Sequence, residues 1–304
     1  MVYTVTFNPA VDYVIHTGNI KPGTVNRTTS ERIFFGGKGI NVSLVLAEFG
    51  IKSKALGFVA GFTGTAIENG IKEKGIDADF VHLENGFSRI NVKIKGDEET
   101  EINGQGPDIK ETDINKLFSK LDKMNSGDIL VLAGSIPSTL PDDIYEKILA
   151  YLNDKKIRAV VDASKDLLLN VLKYKPFLVK PNNHELGEMF GVTLDTEEQI
   201  KYYALKLKEM GAANVLVSMA GDGAILLDEN GIFHTCGVCE GVVKNSVGAG
   251  DSMVAGFIAG CESGDYGHAL KLGTACGGAT AFSDGLATKL EIANLMSQLM
   301  NKTM

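Results

Sequence analysis

Short apolar runs and amphipathic stretches alternate along most of the chain. Ala55–Val59, Ile129–Ala133, Ala159–Asp162, Phe177–Val179 and Val215–Ser218 are continuous apolar runs of the kind buried in a parallel sheet. Between them, Lys38–Phe49, Thr63–Lys74, Pro141–Asn153 and Thr196–Met210 carry the apolar period of helices. Gly50, Gly75 and Gly211 stand where a helix C-terminus favours glycine. Met-Val-Tyr-Thr-Val-Thr-Phe at the start reads as one more strand. This rhythm predicts a doubly wound α/β fold, a mainly parallel sheet with helices on both faces and right-handed crossovers.

Two regions break the rhythm. Asp12–Phe35 and Ser88–Ile102 lack a helical period and alternate instead, as in Arg89-Ile-Asn-Val-Lys-Ile-Lys95 and Glu99-Thr-Glu-Ile-Asn103. They read as antiparallel strands with one polar face, forming a small β lid from residues 12–35 and 88–102. Residues 1–11, 36–87 and 103–304 then make the main α/β domain. A lid over the C-terminal edge of an open α/β sheet covers the place where such sheets bind ligands. A small one-sided β layer also has a face to bury, which predicts a homodimer through the lid.

Composition narrows the function classes. The chain has 304 residues, 44% hydrophobic and 22% charged, ordinary for a globular protein with a large core. A formal net charge of −8 argues against nucleic acid or an anionic membrane as the main partner. No apolar run approaches the roughly 20 residues that span a bilayer. The first residues lack the basic start and apolar core of a signal peptide, so the expectation is a cytoplasmic protein. Cys236-Gly-Val-Cys239 has the spacing of half a zinc site or a redox pair. No second close pair accompanies it and only His234 is near, so the four cysteines read as ordinary half-buried thiols.

Candidate chemistry concentrates in Asn245-Ser-Val-Gly-Ala-Gly-Asp251, which leads into a predicted helix over Ser252–Ala259. Gly248, Ala249 and Gly250 can leave backbone N–H groups open to an anion, and a helix N-terminus adds about half a positive charge there. Asp251 is then a base beside an oxyanion cradle, the arrangement that phosphoryl transfer to a hydroxyl requires. A helix-capping carboxylate after a glycine turn is the plainer alternative. No Gly-Lys-Ser/Thr follows, so this is not a Walker A loop, and Met253 stands where a dinucleotide fingerprint has its third glycine. Phe35-Gly-Gly-Lys-Gly-Ile-Asn41 offers a second cradle at the start of the Lys38–Phe49 helix, with Lys38 as a mobile cation and Asn41 on the first turn.

With Gly-Gly-Lys-Gly-Ile-Asn near one end and Val-Gly-Ala-Gly-Asp-Ser near the other, the chain resembles the PfkB/ribokinase superfamily of sugar kinases over essentially its full length. Thr6-Phe-Asn-Pro-Ala-Val-Asp12, Val25-Asn-Arg-Thr-Thr-Ser30, Ser88-Arg-Ile-Asn-Val-Lys93 and Thr100-Glu-Ile-Asn-Gly-Gln-Gly-Pro107 resemble the branch that phosphorylates the 6-hydroxyl of fructose 1-phosphate. The tagatose-6-phosphate kinase branch is the alternative. A non-catalytic sugar-phosphate sensor on the same fold is the alternative of another class.

The resemblance implies ATP as donor with Mg²⁺, Asp251 as base, and Gly248, Ala249 and Gly250 holding the γ-phosphate oxygens. A carboxylate at a helix N-terminus should be ionised and a weak base, which suffices in a loose transition state. Asp12, Asn41, Gly37 and Gly39 would bind the sugar; Lys38, Arg27 and Arg89 are candidates for its phosphate, and Ser135 for a further substrate contact. Lys180, Ser218, Gly221 and Gly223 would line the nucleotide phosphates and ribose, with Ala275 and Ala279 against adenine. Asn182 and Glu185 match the family's Asn-x-x-Glu motif, which organises magnesium through water; the same spacing is also a capping box.

Overall fold

The computed structural model describes residues 1–163 and 165–301. The strand Val2–Thr6 lies near the middle of the main sheet. On one side it pairs with Ser53–Ala60; on the other follow Ile129–Ala133, Arg158–Asp162, Leu178–Val179 and Asn214–Ser218, all parallel. Each expected strand lies within one or two residues of its place. The edge hairpin Ala224–Leu227 and Phe233–Cys236, which the sequence reading did not name, closes that side antiparallel.

These strands are apolar throughout because both faces are covered. Leu130 and Leu132 point into one core and Val131 and Ala133 into the other; Val161 and Val160 divide the same way. The first core is capped by helices that include Glu111–Leu121, Ile144–Leu152 and Glu197–Glu209, the second by Lys38–Glu48, Ala249–Cys261, Tyr266–Ala281 and Lys289–Asn301. Strand order reverses between Val2–Thr6 and Ile129–Ala133, so the connections on either side leave the C-terminal edge in opposite directions. The crevice opened there is where doubly wound sheets hold ligands.

The second sheet is the lid. Hairpin Ala10–His16/Ser30–Gly36 is antiparallel, as is Arg89–Lys95/Glu99–Asn103. The two hairpins join through a parallel pairing of their inner strands, with Ala10 opposite Arg89 and His16 opposite Lys95. The lid is therefore mixed at its centre, a register that separate hairpins in the sequence do not reveal. Its root is anchored by Val11, Phe35 and Ile90, packed with Ile40, Ile67 and Ile71 of the body. Among the described residues, no helix is long and apolar enough to cross a membrane.

Candidate active site

The helix carrying Asp251 starts at Ala249, three residues before its expected start, so Asp251 falls inside its first turn. Gly248, the residue before it, has φ 82°, and a Cβ there would meet Leu286 at 2.7 Å. Only glycine takes that conformation in that space without strain. The Ala249 N–H bonds the Ser246 carbonyl within the turn at 3.2 Å. Of the expected cradle, the first-turn N–H groups of Gly250 and Asp251 are thus the donors without an intrahelical acceptor, and no side chain caps them.

Asp251 is buried and its Oδ2 accepts from Asn41 Nδ2 at 2.8 Å. Burial, reinforced by the negative charge of Asp162, pushes its pKa up to about 6 against the opposing pull of Asn41, Lys38 and Lys180. The expectation of a weak base is corrected by this: helix-end stabilisation is outweighed by desolvation, and Asp251 is a stronger base that is still ionised at neutral pH.

Asp162 organises the charge around it. It ends the strand Arg158–Asp162, is buried, and lies 3.4 Å from Lys180 Nζ and 3.7 Å from Lys38 Nζ. Lys180 is itself buried, and its Nζ stands 3.2 Å from where a Cβ on Gly250 would be. Lys38 is half-exposed. Its burial works against its charge, but Asp162, Asp251 and Glu185 outweigh that and hold its pKa above the usual range. Two ammonium groups and two first-turn N–H groups therefore lie near a buried carboxylate, an arrangement that can stabilise an anion.

The helix Lys38–Glu48 approaches the strand Val2–Thr6 so closely that a Cβ on Gly39 would lie 2.7 Å from Thr6 Oγ1, and one on Gly37 2.4 Å from Thr6 Cγ2. Packing against Thr6 is a sufficient reason for both glycines. Beyond Gly36 opens a cavity of about 680 Å³ between the lid and this helix, lined in part by Asp12, Gly36, Asn41 and Lys93. Asp12 Oδ2 lies 3.2 Å from the Cβ position of Gly36, and Asn41 Oδ1 lies 3.7 Å from it. A continuous polar path thus runs from Asp12 past Gly36 and Asn41 to Asp251.

The other expected residues fall as follows. Arg89 is partly buried and its Nε donates to the Asn8 carbonyl at 3.1 Å; burial lowers its pKa, opposed by Asp12, and no carboxylate ion pair involves it among the described residues. Ser135 is exposed after the strand Ile129–Ala133, in a loop fixed by the Tyr145 hydroxyl, which donates to Gly134 O at 2.8 Å. Arg27 sits on the exposed lid tip and does not line the cavity. Asn182 and Glu185 form the complete capping box: Asn182 N donates to Glu185 Oε2 and Glu185 N to Asn182 Oδ1, each at 2.8 Å. Glu185 Oε1 remains for a water. Ser218 ends the strand Asn214–Ser218 at the same sheet edge as Lys180, and Gly221 and Gly223 follow it, Gly221 exposed and Gly223 buried at φ 89°.

Ala275 and Ala279 are corrected. They are 0% and 2% exposed, inside the second core, so adenine cannot rest on them. The small-residue face packs helix on helix: Gly256 faces Cys276, Gly260 faces Ala269, and Gly277 faces the Ala249 carbonyl. Cys236, Cys239 and Cys276 are buried thiols outside any disulfide among the described residues, and burial raises the pKa of Cys236 and Cys276.

Sequence reasoning passed over Asp162, Asn91 and Lys93. Asp162 had a signal: an acidic residue ends an apolar strand that feeds the binding edge. Asn91 and Lys93 were visible as polar positions on the lid, but the parallel pairing that sets them beside Asp12 and Val14 was not.

Comparison with known proteins agrees with the geometry. Residues 5–293 match the model of the pfkB family carbohydrate kinases. The chain is 46% identical over 300 residues to a 1-phosphofructokinase of Bacillus subtilis, covering 98% of each chain. It is 38% identical to a D-tagatose-1-phosphate kinase of Bacillus licheniformis, again over 98% of each. Phosphofructokinase-2 of Escherichia coli, solved with substrates and products, superposes with a TM-score of 0.91 at 25% identity, covering 98% of this chain and 99% of that one. With a buried carboxylate at a helix N-terminus and a cavity under a small β sheet, the match over residues 5–293 and the full-length relatives place this chain in the pfkB family of carbohydrate kinases.

Proposed function

We infer that the chain transfers the γ-phosphoryl group of ATP to the 6-hydroxyl of fructose 1-phosphate, giving fructose 1,6-bisphosphate. The observation that carries this is Asp251, buried in the first turn of its helix and held by Asn41, which itself lines the cavity. A sensor has no use for a base with its pKa lifted to about 6.

The sugar lies along Asp12, Gly36 and Asn41 with its 6-hydroxyl toward Asp251. Asn41 fixes the carboxylate, which takes the hydroxyl proton as the oxygen attacks. The N–H groups of Gly250 and Asp251, with Lys180 and Lys38, offset charge on the transferring phosphoryl group. Arg89, with no carboxylate ion pair among the described residues, is the cation for the sugar's own phosphate. Magnesium fits the oxygen donors present: Glu185 Oε1 would reach it through water, and the ion would offset triphosphate charge.

The alternative narrows. By its name, the tagatose relative acts on a 1-phosphate rather than the 6-phosphate first considered. The choice thus lies between ketohexose 1-phosphates. The test is ATP-dependent turnover on fructose 1-phosphate, tagatose 1-phosphate, tagatose 6-phosphate and fructose 6-phosphate. The highest kcat/KM belongs to fructose 1-phosphate; a clear preference for a tagatose ester reverses the assignment, and no turnover on any of the four returns the sensor reading.

The homodimer belongs to the same proposal. Tyr13, Ile15, Ile33, Val92, Ile94 and Ile102 share the lid face opposite Asp12, and Ile33 and Ile102 are 59% and 60% exposed. Such an apolar face is covered in solution by a second copy. Sedimentation at micromolar concentration should give a dimer for the unmodified chain and a monomer for Ile33→Asp/Ile102→Asp. A monomeric unmodified chain would sink the proposal.

A further inference from the structure

The protein's own hydrogen bonding leaves groups over on the inner lid face above the sugar end of the cavity. Asn91 is buried, and its Nδ2 donates to Asp12 Oδ1 at 2.8 Å, which fixes the orientation of the amide. Its Oδ1 is buried too and accepts from no group among the described residues. Lys93, with a side chain 12% exposed, lies 3.6 Å from Asp12 Oδ2 and 3.8 Å from Glu101 Oε1. Those separations are within ion-pair range and beyond a hydrogen bond, so the ammonium donors are unspent. Asp12 Oδ2 faces Gly36, which brings no side chain.

An acceptor without a donor, an ammonium held only by two long ion pairs and a half-used carboxylate thus meet at one spot. A buried unpaired acceptor costs about 1–3 kcal/mol, and native structures keep few of them. A hydroxyl group satisfies the set, because it accepts and donates at once. Residues 91 and 93 are successive positions on one strand face, about 7 Å apart along the strand, so one hydroxyl placed between their side chains can meet both. Basic groups alone would suit a phosphate; the unpaired carbonyl oxygen of Asn91 repels one and favours an O–H.

We propose that Asn91 and Lys93, with Asp12, read the ring hydroxyls of the ketohexose and set which epimer is accepted. Lys93 donates to one hydroxyl, which in turn donates to Asn91 Oδ1, and a neighbouring hydroxyl donates to Asp12. Fructose and tagatose differ only in configuration at C4, so an arrangement of fixed donors and acceptors separates them where an apolar wall would not. This deepens the kinase reading above and rests on it.

The experiment uses the full chain with Asn91→Leu, Lys93→Met and Lys93→Arg, assayed on fructose 1-phosphate and tagatose 1-phosphate, with melting temperature recorded. Asn91→Leu and Lys93→Met each raise KM for the preferred epimer by about ten-fold or more, as expected when a hydrogen bond to a polar or charged partner is lost. Turnover number changes little, and the ratio of kcat/KM between epimers moves toward one. Lys93→Arg restores part of that ratio. The melting temperature of Asn91→Leu moves little, because the substitution removes an unpaired acceptor together with the donor to Asp12. An epimer ratio unmoved by both substitutions overturns the inference, as does a loss confined to kcat and melting temperature. Turnover of neither epimer by the unmodified enzyme removes the kinase reading and this inference together; normal turnover with an unmoved ratio removes this inference alone.

Discussion

Asp251→Asn should lower turnover about a thousand-fold while raising the melting temperature by a few degrees. The first effect follows from losing the proton acceptor, a role usually worth two to four orders of magnitude. Asparagine keeps the shape and can still accept from Asn41, so both substrates stay bound. The second effect follows from linkage. Asp251 has its pKa raised from 3.8 to about 6 in the folded chain, chiefly by burial. A raised carboxylate favours the fold below about pH 4 and loses that contribution as pH climbs through about 6. At pH 7 the folded chain therefore carries a charged carboxylate at a cost of up to about 3 kcal/mol, and the neutral amide removes it. Calorimetry at pH 7.5 and pH 4 checks the sign: the gain is present at the first and absent at the second. The same group gives the unmodified enzyme an acid limb in kcat/KM near pH 6, falling about ten-fold per unit below it. No such limb, or near-normal turnover of the variant, would remove Asp251 as base.

Lys180→Met should damage activity and stability together, and a second substitution should separate the two. Lys180 and Asp162 are a buried pair at 3.4 Å, with side chains 6% and 5% exposed. Removing one member strands the other, at about 3 kcal/mol in typical cases. Lys38, 3.7 Å from Asp162 and half-exposed, offsets part of the loss. Adding Asp162→Asn to Lys180→Met removes the stranded charge, so the melting temperature recovers. Turnover does not, because the cation beside Gly250 is still missing where negative charge develops. Two melting curves and two single-turnover rates decide this. Joint recovery of rate and melting temperature in the double variant would make Lys180 a structural group only.

The body of the fold was legible because its strands are covered on both sides, which leaves runs such as Ile129–Ala133 apolar at every position. Glycine ended the helices for a local reason, since Gly50 and Gly75 take positive φ. The site was legible where chemistry sits in one short segment, as in Gly248–Asp251. It was illegible where the chemistry is made by chain segments that meet only in space. Asp162 reaches Lys38 and Lys180 across two strand ends, and the lid row behind Asp12 depends on a pairing between distant strands. Ala275 and Ala279 misled because close helix packing and a nucleotide surface both call for small residues.

The pairing of Ala10–His16 beside Arg89–Lys95 has a bearing on how the molecule assembles. Its two strands run the same way, and between them in the chain lie the lid strand Ser30–Gly36, the helices Lys38–Glu48 and Gly61–Glu73, and the body strands Ser53–Ala60, Asp77–Ala78 and Val81–Leu83. Neither hairpin can find the other until those intervening elements have docked, since bringing distant segments together costs chain entropy that only a formed body repays. Folding should therefore finish at the cover. The inner lid face, with the row of polar groups behind Asp12, should then be the last surface to take its final form.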